Sequence, residues 1–75
     1  MPADTTILDQ VQGLIARLSP QTICDECLAE KLGLAWTSQA NQAARQLVGA
    51  QGFERRSDIC ALCCAPRVVT RRLAR

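Results

Sequence analysis

The chain has 75 residues, a formal net charge of +2 and 48% apolar residues, which allows one domain with one small core and argues against disorder. No apolar run approaches the roughly 20 residues that span a bilayer. The stretch Met1-Pro2-Ala3-Asp4-Thr5-Thr6 lacks the basic and apolar regions of a signal peptide, so the expected setting is cytoplasmic. With no His, one Trp, one Phe and no Tyr, His-based acid–base catalysis is excluded and the core has to be aliphatic.

The first element is a helix over about residues 5–18. Ile7, Leu8, Val11, Leu14, Ile15 and Leu18 form the stripe of an amphipathic helix. Asp4, Thr5 or Thr6 can cap its start, and Ser19-Pro20 ends it. A second helix is expected over about residues 22–32, with Gly33 as its C-terminal stop. On that helix Cys24 and Cys27, three apart, share one face. A third helix is expected over about residues 38–50, capped by Thr37 or Ser38. Its buried stripe reads Ala40, Ala43, Ala44, Leu47 and Val48, and Gly52 follows as its terminator. Phe53 to Arg56 suits a strand, Ser57-Asp58 a turn or strand end, and Arg67 to Leu73 a β-branched returning strand with Pro66 at its start. Residues 53–73 thus form a β-hairpin around the second cysteine pair, and the fold class is α+β.

Four of the five cysteines form two Cys-x-x-Cys pairs, Cys24-Asp25-Glu26-Cys27 and Cys60-Ala61-Leu62-Cys63. Each pair chelates one ion from a short loop, and two distant pairs complete a tetrahedral thiolate shell. Thiolates suit zinc, which has no redox chemistry of its own. The expectation is one structural zinc per chain, held by Cys24, Cys27, Cys60 and Cys63. A closed shell leaves no open position for catalysis. The alternatives are an iron–sulfur cluster or redox disulfide, and cysteines buried as small hydrophobes. Cys64 is a spare thiol near Arg67: a packed residue, an alternate ligand or a reactive group. No phosphate-binding Gly loop and no recognisable pair of catalytic carboxylates is present, so no catalytic residue is assigned and an enzyme is not expected.

Charge is unevenly spread. Residues 1–52 sum to −2, whereas residues 53–75 carry six arginines against Glu54 and Asp58 and sum to +4. A basic C-terminal third suggests a nucleic-acid partner, the alternative being an ordinary solvated face.

Three helices, a tight turn around Gly33 and then a hairpin follow the order of a winged helix-turn-helix domain. Glu30-Lys31-Leu32-Gly33-Leu34 ahead of a polar helix resembles the turn before a recognition helix, and Phe53 after Gly52 resembles the aromatic that opens the wing. With Cys24-Asp-Glu-Cys27, Asn41-Gln-Ala-Ala-Arg45, Gly52-Phe53-Glu-Arg and Cys60-x-x-Cys63, the chain is similar to small bacterial winged-helix proteins with a four-cysteine metal site. One departure is Cys64, which stands where such knuckles usually have Gly.

The resemblance implies a structural zinc joining helix two to the wing, and a DNA-binding transcription regulator. Helix three would enter the major groove of double-stranded DNA, with Gln39, Asn41, Gln42 and Arg45 at base edges and Ser38 at phosphate. Arg55, Arg56, Arg67 and Arg71 would supply backbone contacts from the wing. Helix one offers a possible homodimer seam or, alternatively, only core packing. A protein-docking module and a thiol or metal redox sensor are the other functions the residues allow.

Overall fold

The computed structural model describes residues 6–49 and 52–73. Among them the order is α1 (Ile7–Leu18), β1 (Ile23–Cys24), α2 (Asp25–Leu32), α3 (Thr37–Leu47), β2 (Phe53–Ile59) and β3 (Pro66–Arg72). The three strands form one antiparallel sheet in the order β1-β3-β2. The architecture is therefore mixed α+β, as expected.

Helix α1 begins where the sequence offers a cap: the Asp9 N–H donates to Thr6 Oγ1 at 3.0 Å. Asp4 and Thr5 lie outside the described residues. Val11 and Ile15 are fully buried, while Ile7, Leu8, Leu14 and Leu18 are half-buried against the same core. The apolar stripe is thus occupied within the chain.

The second helix differs from expectation at its start. Residues 23 and 24 are extended and pair with β3, Ile23 opposite Thr70 and Cys24 opposite Val69. Cys24 is the N-cap of α2, its Sγ accepting from the Cys27 N–H at 3.5 Å. The two cysteines therefore do not share a helix face. Apolar spacing alone cannot see this, because Ile23 and Cys24 are equally buried on a helix or in a two-residue strand. The far end follows the sequence: Gly33 is left-handed (φ 68°), and the Leu34 N–H returns to the Ala29 carbonyl at 2.9 Å.

Helix α3 starts at Thr37, one residue early, and its N-cap is Trp36 rather than Thr37 or Ser38. The Trp36 N–H donates to Gln39 Oε1 at 3.1 Å, and the Gln39 N–H donates to the Trp36 carbonyl at 3.1 Å. Gln39 thereby holds the helix start in place of a hydroxyl cap. The helix ends at Leu47, so Val48 leaves the expected stripe and is 47% exposed; Ala50 is outside the described residues. Ala40, Ala43, Ala44 and Leu47 do form the buried face, and small alanines let α3 pack closely on α1 and α2.

The hairpin is longer and more regular than expected. Ser57 and Asp58 are strand residues, opposite Val68 and Arg67. On one face Arg72 lies 5.7 Å from the centroid of the Phe53 ring opposite it. On the other, Glu54 bonds Arg71 across the strands at 2.9 Å, and Arg56 reaches Glu54 and Asp58 at 3.7 and 3.5 Å. No helix among the described residues is long and apolar enough to cross a membrane.

Candidate metal centre

Two backbone features carry the cysteine pairs. Cys24 and Cys27 occupy the cap and first turn of α2. Cys60 and Cys63 lie in the turn that joins β2 to β3, closed by the Cys64 N–H bonding the Cys60 carbonyl at 2.8 Å. Thr22 binds the two together. Its hydroxyl donates to the Ile59 carbonyl at 2.7 Å, and its own carbonyl accepts from the Ala61 N–H at 3.1 Å. β1 is thus clamped to the root of the turn, which brings the pairs together across more than 30 residues of chain.

The four sulfurs converge. All ligand atoms of Cys24, Cys27, Cys60 and Cys63 lie within 4.8 Å of one another. Cys24 Sγ is 3.8 Å from Cys63 Sγ, and Cys60 Sγ is 3.8 Å from Cys27 Sγ. Four sulfurs at about 2.3 Å from a shared tetrahedral ion stand about 3.8 Å apart. The donor set and its spacing therefore fit a single ion. Thiolates on different irons of a polynuclear cluster would stand farther apart. All five cysteines are free of disulfides.

Backbone N–H groups point at the sulfurs. Cys60 Sγ accepts from Cys24 N–H and from Leu62 N–H, each at 3.4 Å. Burial pushes the Cys60 thiol up, but backbone N–H groups of Cys63, Cys24 and Leu62 outweigh it and lower its pKa to about 6. Burial pushes the Cys27 thiol well above its ordinary value, with the neighbouring sulfurs adding to the effect. Burial also raises Cys24, against the Cys27 backbone N–H. Four buried or crowded thiolates repel one another, and a divalent cation removes that penalty.

Cys64 stands apart from this quartet. Its backbone is left-handed, φ 63°, and it is exposed. A left-handed backbone explains why Gly suits the position, and it is Cys63, not Cys64, whose sulfur joins the other three. Substituting Cys64→Gly is expected to keep the metal stoichiometry and to be neutral or stabilising by up to about 1 kcal/mol in urea denaturation. A loss of metal, or clear destabilisation, would show that the Cys64 thiol itself is needed.

The arginines proposed for phosphate are mostly engaged within the chain. Arg55 forms a bidentate pair with Asp25 at 2.9 and 3.2 Å and also donates to Thr70 Oγ1 at 2.9 Å. Asn41 Nδ2 donates to the same Asp25 carboxylate at 2.9 Å. Arg71 and Arg56 belong to the Glu54 and Asp58 set described above. Arg67 pairs with Glu26 at 3.1 Å. That carboxylate, with the Cys63 and Cys24 sulfurs behind it, raises the Arg67 pKa. Ser38, Gln42 and Arg45 are exposed along one side of α3, whereas Gln39 and Asn41 are half-buried and hydrogen-bonded within the fold. Asp25 is the residue that sequence reasoning passed over; an acid directly after a capping cysteine carries no signal of its distant partners.

No protein-family model, curated protein or solved structure matches this chain.

Proposed function

We propose that the chain is a small winged-helix DNA-binding protein whose wing, β2 and β3, is fixed to α2 by one zinc ion. Four thiolates at single-ion spacing support a metal site, and the softness of the donors favours zinc. The observation that supports DNA binding is the two-sidedness of α3. Its alanine face is buried in the core, while Ser38, Gln42 and Arg45 line the side left to solvent. Gln and Arg are side chains that read base edges bidentately. The groove beside the start of α3 is lined by Thr37, by Arg67 and Val68 of β3, and by Cys24, Asp25 and Glu26 at the start of α2, so helix and wing border one surface with two acids between them.

The electrostatics argue for weak, contact-dependent affinity. A divalent ion in four thiolates offsets the formal charge of +2 to about zero. Arg45 makes no ion pair among the described residues, while Arg56, Arg67 and Arg71 each do. A shallow salt dependence follows, with few phosphates neutralised.

The sole Trp reports on this reading. Trp36 is 69% exposed and caps α3. Titration of the zinc-loaded protein with duplex DNA at low salt is expected to change its emission. Arg45→Ala is expected to weaken binding about tenfold. Unchanged emission together with no salt-dependent duplex binding would remove the DNA reading.

A second reading, protein docking through the wing, is favoured by Ile59 and Val68, 50% and 47% exposed, which lie with Pro66 on one sheet face.

A further inference from the structure

The four cysteines are not equally exposed. Cys24, Cys27 and Cys60 are buried, at 1%, 8% and 0% exposure, whereas Cys63 is exposed. Cys60 Sγ and Cys24 Sγ accept backbone N–H bonds from inside the fold. Cys63 instead lies at the open end of the turn, ahead of Arg67, an exposed side chain paired with Glu26. Its close sulfur neighbour is Cys24, at 3.8 Å, on the other pair. Cys27 and Cys60 are matched in the same way at 3.8 Å. These short approaches therefore join α2 to the wing.

We propose that Cys63 is the reactive corner of the metal centre, oxidised first by peroxide and resolved by Cys24, with release of the ion. The inference rests on the single-ion site and is independent of DNA binding. The Cys63 thiolate attacks hydrogen peroxide, an S–O bond forms, the O–O bond breaks and hydroxide leaves. The Cys24 thiolate then attacks the Cys63 sulfenic sulfur, the disulfide forms and a second hydroxide leaves. Two electrons pass from the sulfur pair to one peroxide. An ion left with Cys27 and Cys60 has lost half its shell and dissociates. The new Cys24–Cys63 bond spans the same two segments that the metal joined, so the α2–wing connection survives in covalent form.

The unligated thiol of Cys64 would also react, so the test uses zinc-loaded Cys64→Ser protein. Elemental analysis first establishes one zinc per chain; without it the metal reading fails, separately from this proposal. Peroxide is then added with a chromogenic zinc chelator, and disulfides are mapped by tandem mass spectrometry. Zinc release in step with a Cys24–Cys63 disulfide is the expected result. In unoxidised protein, N-ethylmaleimide should label Cys63 about tenfold faster than Cys27. Zinc retained after equimolar peroxide has been consumed would overturn the proposal. So would a first disulfide within either Cys-x-x-Cys pair, or prior labelling of a buried cysteine. Cys63→Ser retains one zinc or loses it; in the former case its peroxide-driven release should be abolished, and in the latter the mapping and labelling of the Cys64→Ser protein decide.

Discussion

Stripping the metal from the folded protein is expected to abolish its cooperative thermal transition. The core is small: its largest fully buried side chains are Ile15, Ile23, Leu28, Val11 and Val69. Chains of this size bury only about 60% of their unfolded surface and carry a net stability of about 5 kcal/mol. Apparent binding energies of structural zinc sites are about 10–16 kcal/mol, more than that total. The site also sits where little else holds. β1 contributes two residues to the sheet, and the turn from residue 60 to 65 is attached to the body mainly through Thr22 and the sulfurs. Without the ion, burial acts against the thiolate forms of Cys24 and Cys27. Cys27→Ser and Cys60→Ser should reproduce the chelated state, since each leaves three sulfurs around the ion and puts a poor ligand in a buried place. Circular dichroism melts with and without a strong chelator check this. Superimposable melts, or wild-type stability in both variants, would refute a structural role for the metal.

The sequence displayed the scaffold of this site more clearly than its details. Helical periodicity located α1, and Gly33 located the end of α2, because each rests on a local rule: a repeating apolar stripe and a left-handed stop. The cysteine quartet was equally visible, since a chelating doublet is defined by spacing. β1 was not, because two strand residues are too few to show alternation, and their pairing with Val69 and Thr70 depends on chain far away. The cap of α3 was missed for a related reason: Gln39 does by reaching back what Thr37 or Ser38 would do by position. The arginines show the limit most directly. Their number implies a basic surface, but Glu54, Asp58, Glu26 and Asp25 meet four of them in space. Composition counts those charges without knowing which ones face each other. The left-handed backbone of Cys64 sits between these cases, flagged by the expected glycine yet explained only by the turn.

Replacing Asp25 by Ala is expected to destabilise the protein by about 3 kcal/mol, more than loss of an exposed ion pair costs. Asp25 and Arg55 are 14% and 13% exposed, so neither charge is well solvated if the other is removed. The carboxylate joins α2 to α3 through Asn41 and to the sheet through Arg55, which in turn holds Thr70, itself fully buried. Among the described residues no buried side-chain polar atom lacks a partner, and Asp25→Ala would break that condition at both Asn41 and Arg55. It also removes an acid from the first turn of α2, worth about 0.5 kcal/mol against the helix dipole. Pairing Asp25→Leu with Arg55→Met should cost less than the two single changes added together, because the double variant leaves no unpaired charge. Urea unfolding of the four proteins gives the coupling energy directly. A coupling below about 0.5 kcal/mol would mean that the pair is a surface-like contact despite its burial. The same cycle bears on function. Arg55 was a candidate phosphate contact by sequence, but its guanidinium is turned into the fold toward Asp25 and Thr70. On the proposed DNA-binding reading, loss of binding in Arg55→Met should therefore track loss of stability, whereas loss in Arg45→Ala should occur with the unfolding midpoint unchanged.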